Sequence, residues 1–420
     1  MKILYATRLF TGLESSLSSK KWLPTGVPTI YKIIEELDKR GNTKFIFSVK
    51  DSGDGYLSSW NYSKDELINI AGLNSQVKVL AGSKYFFSWL PRRVAFFFRE
   101  IRQYICIIVE ALRFKPDIIY CDHANVIVAA ILSRVYWKSD VVFRVMGVYP
   151  SMRESLKSKS LINKIYKWAY SSPFSLVICT QDGSGVESWL KQAISKDVKI
   201  EVILNGVDMT DSRTIDIIDT QLKKVPLDKK IILFIGKFEK YKGCYDFLNA
   251  FCLLIDKEVD EVHALMIGTG SEEISLKKIV KERKIEHRFS FISRLPHSQI
   301  LAAHRISDVY VSMNHLGNLS NSNLEAIQSN ICMVIASPQP KDGIDIITNK
   351  LLGNSVDSVP INSPVLLADR INQLIFSKKT RDEKLKLLKL RKKSFLKSWD
   401  ERIEIEIMLL EQIIISKNES

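Results

Sequence analysis

The amino-acid sequence predicts an α/β protein made of two doubly wound, Rossmann-like domains, and three observations lead to this prediction. The chain has 420 residues, more than the roughly 100–200 residues of one ordinary domain. Short β-branched runs alternate with helix-length segments, as they do in parallel sheets. This alternation occurs twice, on either side of a polar stretch at 209–229 that is rich in Asp, Thr and Lys and contains Pro226.

The first series of predicted strands covers residues 2–6, 44–49, 117–121, 141–145 and 176–180. A helix is predicted between the first two strands, with Pro28 in its first turn and Gly41 just beyond its end. Proline favours the start of a helix and glycine the position after it. The second series covers residues 230–236, 263–267, 289–292, 309–312 and 333–336.

These two series define predicted domains at residues 1–208 and 230–395, joined by a linker at 209–229. Residues 396–420 are predicted to form a C-terminal helix that packs back toward the first domain, since Trp399 and the apolar residues after it suit a helix with one buried face. Open parallel sheets bind ligands beyond the carboxyl ends of their strands. We therefore expect the two domains to face each other across a ligand-binding cleft.

The composition restricts the compartment and the partners. Six cysteines without a Cys-x-x-Cys pair favour reduced core thiols over a disulfide or zinc framework. The first residues enter a strand pattern without the features of a signal peptide, and no uncharged apolar run reaches the roughly 18 residues of a membrane span. We expect a cytoplasmic protein. A net charge of +14 calls for an anionic partner, and the lack of zinc-finger or ribonucleoprotein motifs disfavours nucleic acid.

The segment 236–243, Gly-Lys-Phe-Glu-Lys-Tyr-Lys-Gly, has the composition of a phosphate-binding loop. It follows a predicted strand and leads into a helix. Glycine lets the backbone approach a ligand closely, the helix N-terminus offers N–H groups, and lysine neutralises phosphate charge. A solvated surface turn is the alternative interpretation of so short a motif.

This segment resembles the Gly-Arg-Leu-x-x-x-Lys-Gly loop of the GT-B, family 4 retaining glycosyltransferases. The resemblance implies that Lys237, where the family has Arg, and Lys242 bind the diphosphate of a nucleotide-sugar donor next to Gly236. Lysine lacks the planar fork of arginine, so binding by Lys237 should be less bidentate. The resemblance also implies retention of the anomeric configuration.

A second segment, 317–326, resembles the Glu-x7-Glu block of the same family. Glu325 aligns with the second Glu, which implies that it accepts hydrogen bonds from the nucleotide ribose, while loop amides near Ser320 and Asn321 contact the diphosphate. A carboxylate that favours the helix dipole is the structural alternative for Glu325. The first Glu of the block is replaced by Gly317, where relatives make a sugar-side contact.

Three further segments are in register with the family. Residues 205–208, Asn-Gly-Val-Asp, resemble the motif at the end of its first domain, and residues 268–270, Gly-Thr-Gly, resemble its glycine-rich turn. Residues 291–295 occupy the place where relatives contact the nucleobase, with Ser293 in place of glycine and Arg294 as a candidate donor-binding residue.

The first domain supplies fewer candidates. Gly12, in the predicted loop after the first strand, is a candidate for close approach to donor phosphates, with an ordinary turn as the alternative. Met146 stands where many relatives have His near the transferred sugar, so His123 or Arg144 is expected to make that contact unless it is dispensable. We take His123 as a catalytic candidate, although a lone histidine is more often structural.

No Asp-x-Asp motif and no His/Cys cluster with metal-ligand spacing occurs in the sequence. We therefore predict no metal and no cofactor, the nucleotide sugar being a substrate. The departing diphosphate is then stabilised by Lys237, Lys242 and helix dipoles.

Residues 84–99 interleave aromatic and basic side chains, as interfacial segments do. The candidate membrane-surface residues are Trp89, Arg92, Arg93, Phe97 and Arg99. A core helix with outward arginines is the alternative. The membrane interpretation predicts a peripheral location on the cytoplasmic face of the inner membrane and a lipid-linked glycan acceptor.

Together these features predict transfer of a hexosyl-type sugar from a nucleotide-diphosphate sugar to a glycan acceptor in bacterial surface polysaccharide synthesis. A nucleotide-sugar epimerase of the same fold is one alternative, although no acid/base constellation for it is visible. A nucleotide-sugar-binding protein without catalysis is another, favoured by Gly317 and Met146. A nucleic-acid binder would instead show steep salt dependence and no response to nucleotide sugars.

Overall fold

A computed structural model describes residues 1–50, 58–209 and 216–419. The chain separates into two compact units, the first comprising Met1–Thr180, Glu187–Ile203 and Trp399–Ser420, and the second Gln181–Val186 and Leu204–Ser398. Each unit contains one mostly parallel sheet with helices between its strands. This confirms the predicted α/β class with two Rossmann-like sheets.

The first unit holds an eight-stranded sheet. Its strands are Ile3–Arg8 (β1), Thr43–Ser48 (β2), Glu66–Ile68 (β3), Val77–Leu80 (β4), Ile118–Asp122 (β5), Asp140–Val145 (β6), Leu176–Gln181 (β7) and Ile200–Leu204 (β8). The order across the sheet is β3-β4-β2-β1-β5-β6-β7-β8. β1 lies between β2 and β5 and is parallel to both, whereas β3 runs antiparallel to β4.

The second unit holds a six-stranded sheet. Its strands are Lys230–Ile235 (β9), Val262–Ile267 (β10), Phe289–Ile292 (β11), Val309–Ser312 (β12), Cys332–Ala336 (β13) and Asp357–Val359 (β14). The order is β11-β10-β9-β12-β13-β14, and every neighbouring pair is parallel. All of its carboxyl ends therefore meet at one edge.

Sixteen α-helices occur in the described part of the chain. They are Thr11–Ser19 (α1), Pro28–Arg40 (α2), Ser83–Phe87 (α3), Arg92–Phe114 (α4), Val126–Val135 (α5), Pro150–Lys157 (α6), Leu161–Tyr170 (α7), Val186–Ala193 (α8), Cys244–Asp256 (α9), Glu273–Glu282 (α10), His297–Arg305 (α11), Asn321–Ser329 (α12), Ile346–Leu352 (α13), Pro364–Phe376 (α14), Lys378–Phe395 (α15) and Trp399–Glu419 (α16). The predicted limits of α2 are confirmed, with Pro28 at its start and Gly41 at φ +74° beyond its end.

Four observed strands, β3, β4, β8 and β14, were not predicted. β3 and β14 have three residues each, too few for a period-2 pattern, and β4 has only four. The β8 sequence alternates well enough to be a strand but is only partly buried. These segments become strands because a neighbouring strand supplies their hydrogen bonds, which a local pattern does not reveal.

The predicted linker at 209–229 is only partly described, because residues 210–215 lie outside the described residues. Its later part packs on the second unit: Leu222 and Val225 are buried in that unit's core. Gln299 Oε1 accepts hydrogen bonds from the amides of Ile218 and Asp219. Residues 216–229 thus contribute to the stability of the second unit.

The C-terminal helix α16 belongs to the first unit, where Ile403, Ile407 and Leu410 lie in the same apolar cluster as β1. It also brings charge into this core, since Arg402 and Glu406 are both 0% exposed and 2.6 Å apart. Tyr120 donates a hydrogen bond to Glu406. Burial alone would raise the pKa of Glu406, but Arg402 and Arg144 outweigh it and hold that pKa below its usual value.

Candidate functional site

The candidate donor site lies at the carboxyl edge of the second unit's sheet. Loops that leave β9, β10, β11 and β12 emerge there side by side because these strands are parallel neighbours. The amide of Gly236 donates to the carbonyl of Ile267 over 3.0 Å, and the amide of His315 donates to the carbonyl of Tyr241 over 2.8 Å. The loop at 236–243 is thus held by its neighbours on both sides.

Glycines allow this close packing of loops. A Cβ on Gly268 would lie 1.9 Å from the carbonyl oxygen of Gly236, and one on Gly270 would lie 2.3 Å from that of Phe238. Gly243 adopts φ +75° against Met313, with its Cβ position 2.3 Å from a carbonyl oxygen. Gly236 itself meets nothing closer than 3.7 Å. The backbone there is open to approach, as the phosphate-loop interpretation requires.

The two predicted phosphate-binding lysines differ in environment. Lys237 is exposed, whereas Lys242 is half-buried. Burial lowers the pKa of Lys242, the Asp182 carboxylate offsets part of this effect, and the charge of Lys237 adds to it. The structure therefore brings Lys237 and Lys242 into one electrostatic group, and adds Asp182, which the sequence analysis did not single out.

The start of α12 carries two more predicted residues. Ser320 precedes the helix with extended backbone, and Asn321 is its first residue. The side chain of Asn205 donates to Asn321 Oδ1 over 2.7 Å, so the Asn-Gly-Val-Asp motif and α12 are adjacent within the second unit. The first amides of α12 lie beside the loop at 313–319, which suits them to an anionic ligand.

Glu325 belongs to a separate acidic group. Its carboxylate lies 3.8 Å from Nδ1 of His297, the first residue of α11, and Nε2 of His297 lies 2.6 Å from Asp208. Burial, which is the largest effect, and the charge of Asp208 raise the pKa of Glu325 to about 7, while His297 opposes them. Arg294 is exposed in the loop before α11. The structure thus groups Glu325 with His297 and Asp208.

The packing around Gly317 explains why a glycine stands where the family pattern has a glutamate. It has φ +126°, and a Cβ would lie 2.5 Å from the carbonyl carbon of Gly183 and from the amide nitrogen of Ser184. The backbone at 182–184 occupies the space of a side chain at 317. A glutamate cannot stand there without displacing that segment.

The candidates of the first unit have other surroundings. Gly12 is the second residue of α1, so its prediction as a loop residue is wrong. A Cβ on Gly12 would lie 1.8 Å from the carbonyl oxygen of Thr25. Glycine is required there for packing within the unit.

His123 directly follows β5, and its ring centroid lies 5.4 Å from that of Tyr149. Burial, which is the largest effect, and the charges of Arg8 and Arg144 together lower its pKa to about 4, although Asp122 opposes them. The imidazole is thus neutral at physiological pH.

Arg144, the other candidate for a sugar contact, is buried in the first unit. Its guanidinium donates to the carbonyl of Val145 and to Thr180 Oγ1 and lies 3.5 Å from Glu406. These internal partners hold the buried Arg144 side chain within the first unit, and the sugar contact at this position stays a prediction.

The predicted membrane-surface residues separate into two groups. Trp89 is 78% exposed and Phe97 63% exposed, and Arg92 and Arg93 at the start of α4 are exposed as well. Arg99 is only 6% exposed and pairs with Glu100 at 2.5 Å, so its prediction as a surface residue is wrong. Its helical position turns it inward, two residues beyond the exposed Phe97.

None of the six cysteines forms a disulfide, and five of them are buried. Among the described residues, no cluster of three or more His, Cys, Asp or Glu has the geometry of a metal site. Within the same residues, no helix has the length and apolarity needed to cross a bilayer.

The fold and the loop geometry define a class of protein that binds ligands at the carboxyl edge of a Rossmann-like sheet. Comparison with known proteins specifies this class. The structure superimposes on sucrose-phosphate synthase from Thermosynechococcus elongatus with a TM-score of 0.71 and 14% identity, covering 99% of this chain and 100% of that one. It also superimposes on HepE of Anabaena in complex with UDP and glucose, with a TM-score of 0.65, 14% identity and coverage of 98% and 100%. At these identities the likeness shows the fold.

Residues 218–386 match the family model of the glycosyl transferases group 1. A curated relative, the phosphatidylinositol N-acetylglucosaminyltransferase GPI3 subunit of Saccharomyces cerevisiae, is 22% identical over 173 residues, which are 41% of this chain and 38% of the yeast protein. The aligned part is thus well under two thirds of that relative's length. The similarity to the group 1 family thus covers a segment that lies within the second unit.

Proposed function

We propose that this protein transfers a hexosyl-type sugar from a nucleotide-diphosphate sugar to a glycan acceptor. The observation that carries the proposal is the lysine pair on the loop after β9, inside the segment that matches the group 1 family. A glycine-lined loop with an exposed and a half-buried lysine suits a diphosphate, because both charges lie where the backbone can approach it.

The chemistry of transfer requires stabilisation of the leaving group. As the bond between the anomeric carbon and the diphosphate breaks, negative charge grows on the phosphate oxygens, and Lys237 and Lys242 stabilise it. The charge of Lys242 acts strongly because burial reduces screening by water. We propose that this happens without a metal ion, and with retention of configuration as the resemblance to family 4 implies. His123, being neutral, would serve as a hydrogen-bond partner of the sugar.

A thermal-shift screen of nucleoside diphosphates and nucleotide sugars tests donor binding. A ligand at a hundred times its Kd adds about 2.7 kcal/mol, which raises the Tm of a unit of about 200 residues by about 5–10 °C. Lys242→Ala should abolish this shift. Lys240→Ala is the matched control, because Lys240 is exposed on the same loop. A shift that survives Lys242→Ala contradicts the assigned role of the lysine.

The acceptor is proposed to be a lipid-linked glycan at the cytoplasmic face of the inner membrane, as in bacterial surface polysaccharide synthesis. The exposed Trp89 and Phe97 next to the exposed Arg92 and Arg93 support this, since aromatic and basic side chains together favour anionic interfaces. Six cysteines without a disulfide support a reducing compartment.

Vesicle flotation tests the membrane proposal. Each arginine near an anionic surface contributes about 1 kcal/mol, so Arg92→Gln with Arg93→Gln should weaken binding to phosphatidylglycerol vesicles about 30-fold. Trp89→Ser should weaken it too. Trp137→Ser is the control, because Trp137 is 83% exposed on the same unit but outside this surface. Equal effects of the two tryptophan changes would refute the assigned surface.

A nucleotide-sugar-binding protein without turnover is the second candidate, and the packing of Gly317 favours it. No side chain at 317 can contact a sugar, and Met146 is packed in the apolar cluster of the first unit. Incubation of a radiolabelled donor with membrane extract separates the two functions. Labelled product supports the transferase, whereas donor binding without product supports the binding protein.

A further inference from the structure

The segment 181–186 belongs to the second unit although it follows a strand of the first. It is held by hydrogen bonds to two loops: the amide of Leu319 donates to the carbonyl of Asp182 over 3.1 Å, and the amide of Asp345 donates to the carbonyl of Gly183 over 2.7 Å. Asp345 is itself fixed, since its carboxylate accepts from the amide and the side chain of Asn318 at 2.6 Å each.

Glycines let this segment pack closely against its neighbours. Gly183 and Gly185 have φ of +81° and +72°, and added Cβ atoms would lie 2.7 Å and 2.6 Å from atoms at 345 and 343. Gly317 leaves the space that the backbone at 182–184 fills. A loop packed this closely presents the side chain of Asp182 in a defined place.

Asp182 and Lys242 lie on two segments that are connected through the loop at 315–319, because the amide of Leu319 donates to the carbonyl of Asp182 and the amide of His315 donates to the carbonyl of Tyr241 over 2.8 Å. The carboxylate and the ammonium interact electrostatically, each shifting the other's pKa toward the charged form, while burial shifts both toward the neutral form. Asp182 Oδ1 accepts a hydrogen bond from the amide of Ser184 over 2.9 Å, which fixes the carboxylate relative to its own turn. Burial removes water from both charged groups, so a ligand that interacts with either charge meets a group whose cost of dehydration has already been met.

We infer that Asp182 is a specificity-determining residue of the donor site, whose carboxylate accepts hydrogen bonds from hydroxyl groups of the transferred sugar. This rests on the proposed function, in which Lys242 binds the diphosphate. A diphosphate that engages the Lys242 ammonium carries its sugar at the end of the phosphate chain, and a carboxylate beside that ammonium lies within reach of the sugar. Carboxylates favour hydroxyl donors and disfavour phosphate oxygens, so Asp182 selects the conjugated donor over the free diphosphate.

Calorimetric titration with UDP and with UDP-glucose tests this inference. Asp182→Asn keeps an acceptor for the Ser184 amide, so the turn should persist. We expect this variant to bind UDP-glucose about 10- to 100-fold more weakly, the usual loss for a hydrogen bond to a charged group. Its affinity for UDP should be unchanged or higher. Lys242→Ala should weaken both ligands, and Asp197→Asn, at an exposed position, should weaken neither.

The outcomes distinguish this inference from the proposed function. Loss of UDP-glucose affinity alone in Asp182→Asn supports the sugar contact. Equal changes for UDP and UDP-glucose, or no change for either, overturn it while the donor site stands. Failure of the unchanged protein to bind either probe counts against the proposed function, and the inference falls with it.

Discussion

Gly317→Ala gives a direct measure of how tightly the loops of the second unit are packed. The change adds one methyl group at φ +126°, where its Cβ would lie 2.5 Å from two backbone atoms at 183 and 184. The unfavourable backbone conformation costs about 1–2 kcal/mol, and overpacking costs about 1–3 kcal/mol. The expected loss of about 2–5 kcal/mol lowers the Tm of a unit of about 200 residues by about 4–20 °C.

Two other glycines separate the contributions. Gly41 has φ +74° with nothing within 4 Å of an added Cβ, so Gly41→Ala measures the backbone conformation without the clash. Gly236 has only ordinary contacts at 3.7 Å, so Gly236→Ala should change the Tm by less than about 2 °C. Differential scanning calorimetry of the three variants makes the comparison. The reasoning is refuted if Gly317→Ala unfolds at the same temperature as Gly236→Ala.

Three further predictions concern charged groups. Glu325 has a folded pKa of about 7, above its usual value, so its ionisation opposes folding and wild-type stability should fall relative to Glu325→Gln as pH rises from about 5 to 8. Urea unfolding at several pH values measures this, and a constant difference would contradict it. Glu406→Gln leaves Arg402 and Arg144 buried without their anion, which should cost about 3–5 kcal/mol in urea unfolding of the first unit; a loss below about 1 kcal/mol would show that these arginines find other partners. Lys242→Met removes the ammonium that is proposed to stabilise the departing diphosphate, so it should reduce kcat/KM for a nucleotide sugar about tenfold or more. Unchanged kinetics would exclude the diphosphate role.

The fold was largely predictable because its signals are local. Buried parallel strands are continuous apolar runs, and ten predicted strands coincide with observed ones within one or two residues. Pro28 and Gly41 bounded α2 correctly because helix termini depend on neighbouring residues alone. The strands that were missed owe their structure to pairing partners distant in sequence.

The candidate site was only partly predictable, since burial and long-range contacts decide the roles of several residues. The segment Gln-Asp-Gly-Ser-Gly at 181–185 has the composition of a plain turn, and nothing local shows that Asp182 lies beside Lys242. Arg402 and Glu406 have the spacing of an exposed helical ion pair, yet both are buried. Arg99 is an arginine like the exposed Arg92 and Arg93, but its side chain is buried. Gly183 and Gly317 are far apart in the sequence but pack against each other, and a local sequence pattern does not reveal such a contact.

The placement of α16 affects the order in which the molecule is assembled during translation. β1 is synthesised before the second unit's sheet, and the helix that completes the apolar cluster of β1 is synthesised after that sheet. The second unit can therefore finish folding while the first still exposes Tyr120 and Arg144 without their partner Glu406. A nascent chain stalled before α16 would combine a folded second-unit sheet with an open apolar core in the first unit, which is the kind of surface that chaperones bind.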